Sequence, residues 1–194
     1  MRGLVASLIL LGVSIAHASS ASRDFGPYVG GSLSKSWSTV TQPGVNATLN
    51  GWGNALEVGL DLPFSENFGF NAGVEVGQKE LRNVAQSSTY LDDTKINSKA
   101  VRGSFFYKSL YLGGSYQKVG ADLTTISTTS GASSAHVDGD GTSYFAGYSI
   151  MYKNLLRADI EGEASQFNAT GFTYSDYTVS LKIQFLIGGF LDHN

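Results

Sequence analysis

The chain predicts an all-β fold, a closed up-and-down antiparallel barrel of eight strands, on three observations. Stretches of about ten residues alternate apolar and polar side chains, as a half-buried strand requires. Short turn-like segments recur at Leu62–Asn67, Tyr107–Leu110 and Tyr152–Leu155, each flanked on both sides by an alternating stretch. Gly accounts for 24 of 194 residues and charged residues for only 15%, a balance suited to strands that crowd a narrow interior and unlike a soluble surface. An even number of antiparallel strands can close on itself and leave no edge.

The segment before the first strand reads as an export signal. Met1-Arg2 supplies a positive start, Leu4 to Ile15 an apolar run, and Ala16-His17-Ala18 a small-x-small cleavage pattern. The run is too short for a spanning helix, which needs about 20 apolar residues. Residues 1–18 are therefore expected to be removed, leaving 19–194 as one domain with strands over about 26–186. The absence of Cys excludes disulfides and thiol chemistry. A net charge of −3 without a basic cluster argues against nucleic acid as a partner.

The strands follow in order. Residues 26–37 set Val29, Leu33 and Trp37 against Ser32, Ser34 and Ser36. Residues 52–62 set Leu56, Val58, Leu60 and Leu62 against Glu57, Gly59 and Asp61. "FGFNAGVEVG", 68–77, alternates without a fault and carries Glu75 on its polar side. Residues 98–107 set Val101, Phe105 and Tyr107 against Arg102 and Ser104. Residues 110–121 are the least clean, because Tyr111 and Val119 sit on the polar side. Residues 142–152 set Tyr144, Ala146, Tyr148 and Ile150 against Ser143, Gly147 and Ser149. Residues 155–166 set Leu156, Ala158 and Ile160 against Arg157, Asp159, Glu161 and Glu163. Residues 174–185 set Tyr177, Val179, Leu181, Ile183 and Phe185 against Asp176, Thr178, Ser180, Lys182 and Gln184. Three tight turns then lie at one end. Four long polar connections, 38–51, 79–97, 122–141 and 167–173, lie at the other.

Period two does not say which face is inside. The polar face is mostly Gly, Ser and Ala, too poor in charge for a solvated wall. Aromatics gather at strand ends: Phe68, Phe70, Phe105, Phe106, Tyr107, Tyr111, Tyr152 and Phe185 near the short turns, and Trp37, Trp52, Tyr116, Tyr144 and Tyr174 toward the long connections. Two such bands fit interfacial girdles, and tilted strands of about ten residues span the apolar band of a membrane. The expectation is a transmembrane barrel with lipid outside. A soluble lipocalin-like barrel, with the faces reversed, is the competing arrangement.

With its export signal, the opening "GPYVGGSLSKSW", the strand count and the turn asymmetry, the chain resembles the small eight-stranded outer-membrane barrels typified by the OmpA transmembrane domain and OmpX. The resemblance implies a bacterial outer-membrane location, with both termini periplasmic and the long loops extracellular. It also implies insertion by the barrel assembly machinery, contact with outer-membrane lipid or lipopolysaccharide, and a monomer. Family members end on a Phe read during assembly. Phe185 takes that part here, although "LIGGFLDHN" runs on to Asn194.

Inside such a barrel, Glu57, Asp61, Glu75, Arg102, Arg157, Asp159, Glu161, Glu163 and Lys182 would form a lumen charge network, since buried ions need partners. Adjacent strands favour Glu57 and Glu75 near Arg102, and Arg157, Glu161 or Glu163 near Lys182. The expected role is envelope structure and surface display, with loops available for adhesion or a host or cell-surface ligand. A lipid A-modifying enzyme and a narrow cation or small-solute channel are the alternatives, with no catalytic residue, cofactor or metal assigned. His136 in "SSAHVDGDGTS" is read as a solvated loop histidine outside any strand, and "DGDGTS" as a hairpin end rather than a calcium loop.

Overall fold

A computed structural model describes residues 25–42, 45–84, 89–127, 131–152, 155–169 and 172–187. The expected export signal, 1–18, lies outside the described residues, as does the tail beyond 187. The described chain forms β1 (Gly26–Gln42), β2 (Val45–Pro63), β3 (Phe68–Asn83), β4 (Thr89–Tyr107), β5 (Leu110–Ser127), β6 (Gly131–Tyr152), β7 (Leu156–Ala169) and β8 (Phe172–Leu186). Each strand pairs antiparallel with its sequence neighbour, and β1 pairs with β8 to close the ring. Register steps along the strands. Partners followed once around from Leu62 of β2, through Phe70, Phe105, Leu112, Ala146, Gly162, Val179 and Lys35, return to β2 at Trp52. Closure with such a stagger requires tilted strands.

The stretches read from the sequence are the lower parts of longer strands. Most of the expected long connections are themselves strand: β2 begins at Val45, β3 runs to Asn83, β4 starts at Thr89, and β5 and β6 extend to Ser127 and Gly131. The reason is a change of phase. In β2, the even positions Leu56, Val58 and Leu60 face outward, while further up the odd positions Ala47 and Leu49 face in. In β3, Val74 and Val76 face outward, whereas Leu81 is fully buried. The ladder continues without a break, but its apolar residues change sides.

The barrel consequently has two halves of opposite polarity. Its lower half is apolar outside and polar inside. In its upper half, Val40, Leu49, Leu81, Ile96, Val119, Leu123, Phe167 and Phe172 pack into an apolar core within the ring. The outward positions there are polar, among them Thr48, Asn50, Arg82, Lys95, Asp122, Gln166 and Asn168, a surface that water can solvate.

This explains Val119, whose place on the polar side was out of pattern. It also corrects three aromatic assignments. Tyr174 is buried inside the ring, against Phe167 at 4.7 Å between ring centroids, and belongs to no outer band. Phe106 and Tyr111 likewise point inward and pack with Phe145. Trp37, Trp52, Phe68, Phe105, Tyr107, Tyr152 and Phe185 are exposed on the outer wall, and Phe70 is half-buried there.

"DGDGTS" is not a hairpin end. Gly139 and Gly141 lie within β6, and among the described glycines only Gly131, at the head of that strand, has a positive φ (80°). Gly141 answers to packing instead: a Cβ there would stand 2.6 Å from the Cβ of Phe167.

Candidate functional site

The lumen of the lower half is filled from the short-turn end upward. Lowest is Arg157 on β7, whose Nη1 donates to Asp61 on β2 at 2.7 Å and whose Nε donates to Gln184 at 2.5 Å. Asp159 lies 3.4 Å from the same guanidinium. Asn71 also donates to Asp61, and the Tyr28 ring lies beneath the guanidinium at 4.8 Å.

The next layer holds two cations that share acids. Lys182 reaches Glu161 at 3.0 Å, Glu57 at 3.4 Å and Glu75 at 3.5 Å. Arg102 reaches Glu161 at 2.7 Å, Glu163 at 3.0 Å and Glu75 at 3.4 Å. The face of Phe145 lies 3.9 Å from the Arg102 guanidinium carbon, close enough for cation–π attraction. The hydroxyls of Tyr28 and Tyr111 donate to Glu57 and Glu161. All nine acids and bases named from the sequence thus meet in one lumen. The partners differ in detail, because side chains reach across the narrow ring as well as along it: Glu163 joins Arg102, while Glu57 joins Lys182 and Tyr28.

A third layer lies above, in which Asp176 and Thr178 take the inward side read from the sequence and Lys79 is the addition. Lys79 donates to Asp176 at 2.5 Å and to Thr178 at 2.9 Å, and Ser38 bridges Asp176 and Tyr174. The sequence alone puts Lys79 in a connecting segment, yet in the structure it continues the inward parity of Glu75 and Gly77. Above this layer sits the apolar core. A residual cavity of about 20 Å³, bordered by Asn71, Ser104, Ser149 and Arg157, has room for roughly one water. Chemically the lumen is a cross-braced plug: its charges bind one another and tie β2, β3, β4, β7 and β8 together.

The upper half offers a different feature. β5 and β6 pair from Leu110↔Tyr148 up to Ser127↔Gly131, but β6 meets β7 only from Asp140↔Asn168 downward. Among the described residues, Gly131–Gly139 therefore extends beyond its β7 partner and leaves one edge of the ladder open. His136, expected outside any strand, belongs to this segment. Its Nδ1 lies 2.6 Å from Asp122 on β5 and its Nε2 lies 3.2 Å from Asp138. These two carboxylates raise the pKa of the exposed imidazole above its ordinary value, the Asp122 hydrogen bond most strongly. Among the described residues, neither ring nitrogen faces a hydroxyl nucleophile. Among the described residues, no cluster of His, Cys, Asp or Glu is arranged to hold a metal ion.

The ring resembles known outer-membrane structures. The attachment invasion locus protein Ail of Yersinia pestis superposes with a TM-score of 0.52 at 15% identity, over 82% of this chain and 99% of that one. Neisserial surface protein A superposes with a TM-score of 0.51 at 15% identity, over 84% and 97%. No curated protein matches the chain by sequence. Residues 6–185 match the family described as outer membrane protein beta-barrel domain, and the chain belongs to that family of the bacterial outer membrane.

Proposed function

We propose that this protein is a surface-display barrel: its lower half anchors it in the outer membrane, and its upper half carries a water-exposed binding edge outside the cell. The observation that carries the reading is the open edge of β6 at Gly131–Gly139. An unpaired strand edge offers a row of N–H and C=O groups to which an extended segment of a partner adds as a further strand. The partner class is a protein on a host or neighbouring cell surface. The Yersinia protein is named for attachment. At 15% identity that likeness carries fold alone, so the reading rests on the β6 edge. Both ends of the described chain lie at the short-turn end, where Gly26 pairs with Asp61 and Tyr28 with Leu186, which suits periplasmic termini. The protein acts as a monomer, since the closed ring leaves no edge within the membrane.

Strand addition has a specific test. Successive N–H groups of a strand point to opposite sides, so Ser133→Pro and Ser134→Pro remove one donor toward β5 and one toward the open edge. The substitution on the open side leaves the hairpin paired and abolishes binding of expressing cells to partner-bearing surfaces. Undiminished adhesion in both variants would refute the reading. A tag inserted between Ser127 and Gly131 is accessible to antibody on intact cells if the extension faces outward.

A further inference from the structure

We infer that the open edge of β6 selects an extended protein segment whose side chains alternate lysine or arginine with apolar residues. This selectivity rests on the strand-addition reading above and adds the chemistry of the segment that the edge accepts. Ser149 of β6 donates its N–H to the Ser109 carbonyl at 2.7 Å, and the β5–β6 ladder runs from there to Gly131 without a register shift. In an antiparallel ladder the main-chain groups of successive residues turn to opposite sides. The odd positions of β6 therefore bond to β5, and Ala132, Ser134 and His136 turn both N–H and C=O to the open side. An added strand would hydrogen-bond at those positions, alongside residues 131–136.

The two faces of this edge differ, and the added strand must match each with alternate side chains. Odd side chains of β6 face into the ring, as the buried Ser143 and Phe145 show, and even ones face out, as the exposed Tyr144 shows. On the inward side Ala135 pairs with Leu123 and Val137 with Ala121; both β5 residues are buried, and Val137 packs against the apolar core. A partner residue opposite Ala135 extends that apolar layer, and an apolar side chain there is withdrawn from water. On the outward side Asp122 pairs with His136, and Asp138 and Asp140 follow along β6, all exposed. These three carboxylates are met by one lysine, Lys118 opposite Asp140, and by the imidazole of His136. A long basic side chain opposite His136 stands diagonal to Asp138, within reach across a ladder.

The acidic character is local to this edge. Around the outer wall of the upper half, the basic side chains Arg82, Lys95 and Lys99 lie on β3 and β4, and Lys95 is 3.8 Å from Glu80. Outward residues of β7 and β8 at this height are Gln166, Asn168, Ser175 and Thr173, all uncharged. A cationic segment is therefore drawn to the β6 side of the ring, and an anionic one is repelled there. A second copy of this chain does not supply the segment: residues 95–100, which alternate in this manner, are paired on both sides by β3 and β5.

The test titrates the folded, signal-cleaved protein in uncharged micelles with three synthetic peptides of equal length. One alternates lysine and valine, one alternates glutamate and valine, and one gathers the lysines and valines of the first into two blocks. Fluorescence anisotropy gives the affinity, and amide chemical shifts give the location. The alternating lysine peptide is expected to bind most tightly and to shift the amides of Ala132, Ser134 and His136. The glutamate peptide should bind about tenfold or more weakly, because like charges then meet across the ladder. Asp122→Asn with Asp138→Asn should weaken binding of the lysine peptide roughly fivefold. Arg82→Gln, on the far flank, should bind as wild type. Heat-modifiable gel mobility reports that each variant is folded. Equal binding of the lysine and glutamate peptides, or full affinity in the double aspartate variant, would overturn the charge selection. Equal binding of the block peptide would overturn the alternation. Ser134→Pro separates this selectivity from the reading beneath it. Full binding of the lysine peptide by Ser134→Pro would overturn strand addition itself. Loss of binding in Ser134→Pro, together with equal affinity for lysine and glutamate peptides in wild type, would refute the selectivity and leave strand addition standing.

Discussion

Arg157 and Asp61 stand 96 positions apart in sequence and 2.7 Å apart across the lumen. Both are almost wholly buried, and Asn71 and Gln184 complete their hydrogen bonds. Removing one partner of such a pair leaves an uncompensated buried charge, which costs about 3–5 kcal/mol. Arg157→Met should therefore lower the unfolding free energy in micelles by roughly that amount. Arg157→Met with Asp61→Leu should recover a good part of it, because both charges then go together. Denaturant titration of the two variants measures the difference, and a double variant no better than the single would contradict the pairing.

The change of phase in β2 makes a sharper comparison. Val58 and Thr48 both face outward on that strand, ten positions apart, but Val58 lies in the apolar belt and Thr48 above it. A lysine on the lipid face near the bilayer centre costs about 2–4 kcal/mol, falling toward zero near the interface. Val58→Lys should therefore be destabilising by a few kcal/mol and Thr48→Lys nearly silent. Equal losses at the two positions would place lipid against the upper half as well.

The same phase change marks where the sequence was legible. The lower strands could be read because Phe68 to Val76 keeps one parity, and a lumen of ions followed from Glu57, Arg102 and Lys182 sharing the opposite face. Above Gly53 and Gly77 the apolar residues become sparse and move to the other face. Leu49 and Leu81 then resemble chance apolar residues in polar loops. Lys79 is hidden by that break, although inward parity alone would have placed it in the lumen beside Asp176. The cross-lumen partner of Glu163 depends on tilt and stagger, which no single strand encodes.

His136 gives the upper half a pH dependence of defined sign. Its pKa is raised above 6.5 by Asp122 and Asp138, so the protonated form is favoured by the folded extension. The resulting stabilisation is fully present below pH 6.5 and is lost as pH rises through the higher folded value. The imidazole is exposed, so salt screens the effect. Amide exchange of β5 and β6 near His136 should be slower at pH 6 than at pH 8 after correction for intrinsic rates. Asp122→Asn should remove most of that difference. An NMR titration placing His136 at or below 6.5 would contradict the clamp.

Two barriers in series close the lumen: the ion network around Arg102 and Lys182, and the apolar core around Phe167 above it. Phe167 is buried to 1% exposure against Phe172 and Tyr174. Its truncation to Ala costs the core about 3–5 kcal/mol. That loss falls on the extension, so Phe167→Ala should speed amide exchange at Val40, Leu49 and Leu81 while heat-modifiable mobility persists. It should not open a pore, because the network below is untouched. Arg102→Ser alone should not open one either, because the apolar core still excludes water. In planar bilayers, wild type and both single variants should show no steady conductance, and Phe167→Ala with Arg102→Ser should show ion passage. Long-lived openings in wild type would mean that the braces across the lumen part in the native protein, and that the ring serves transport.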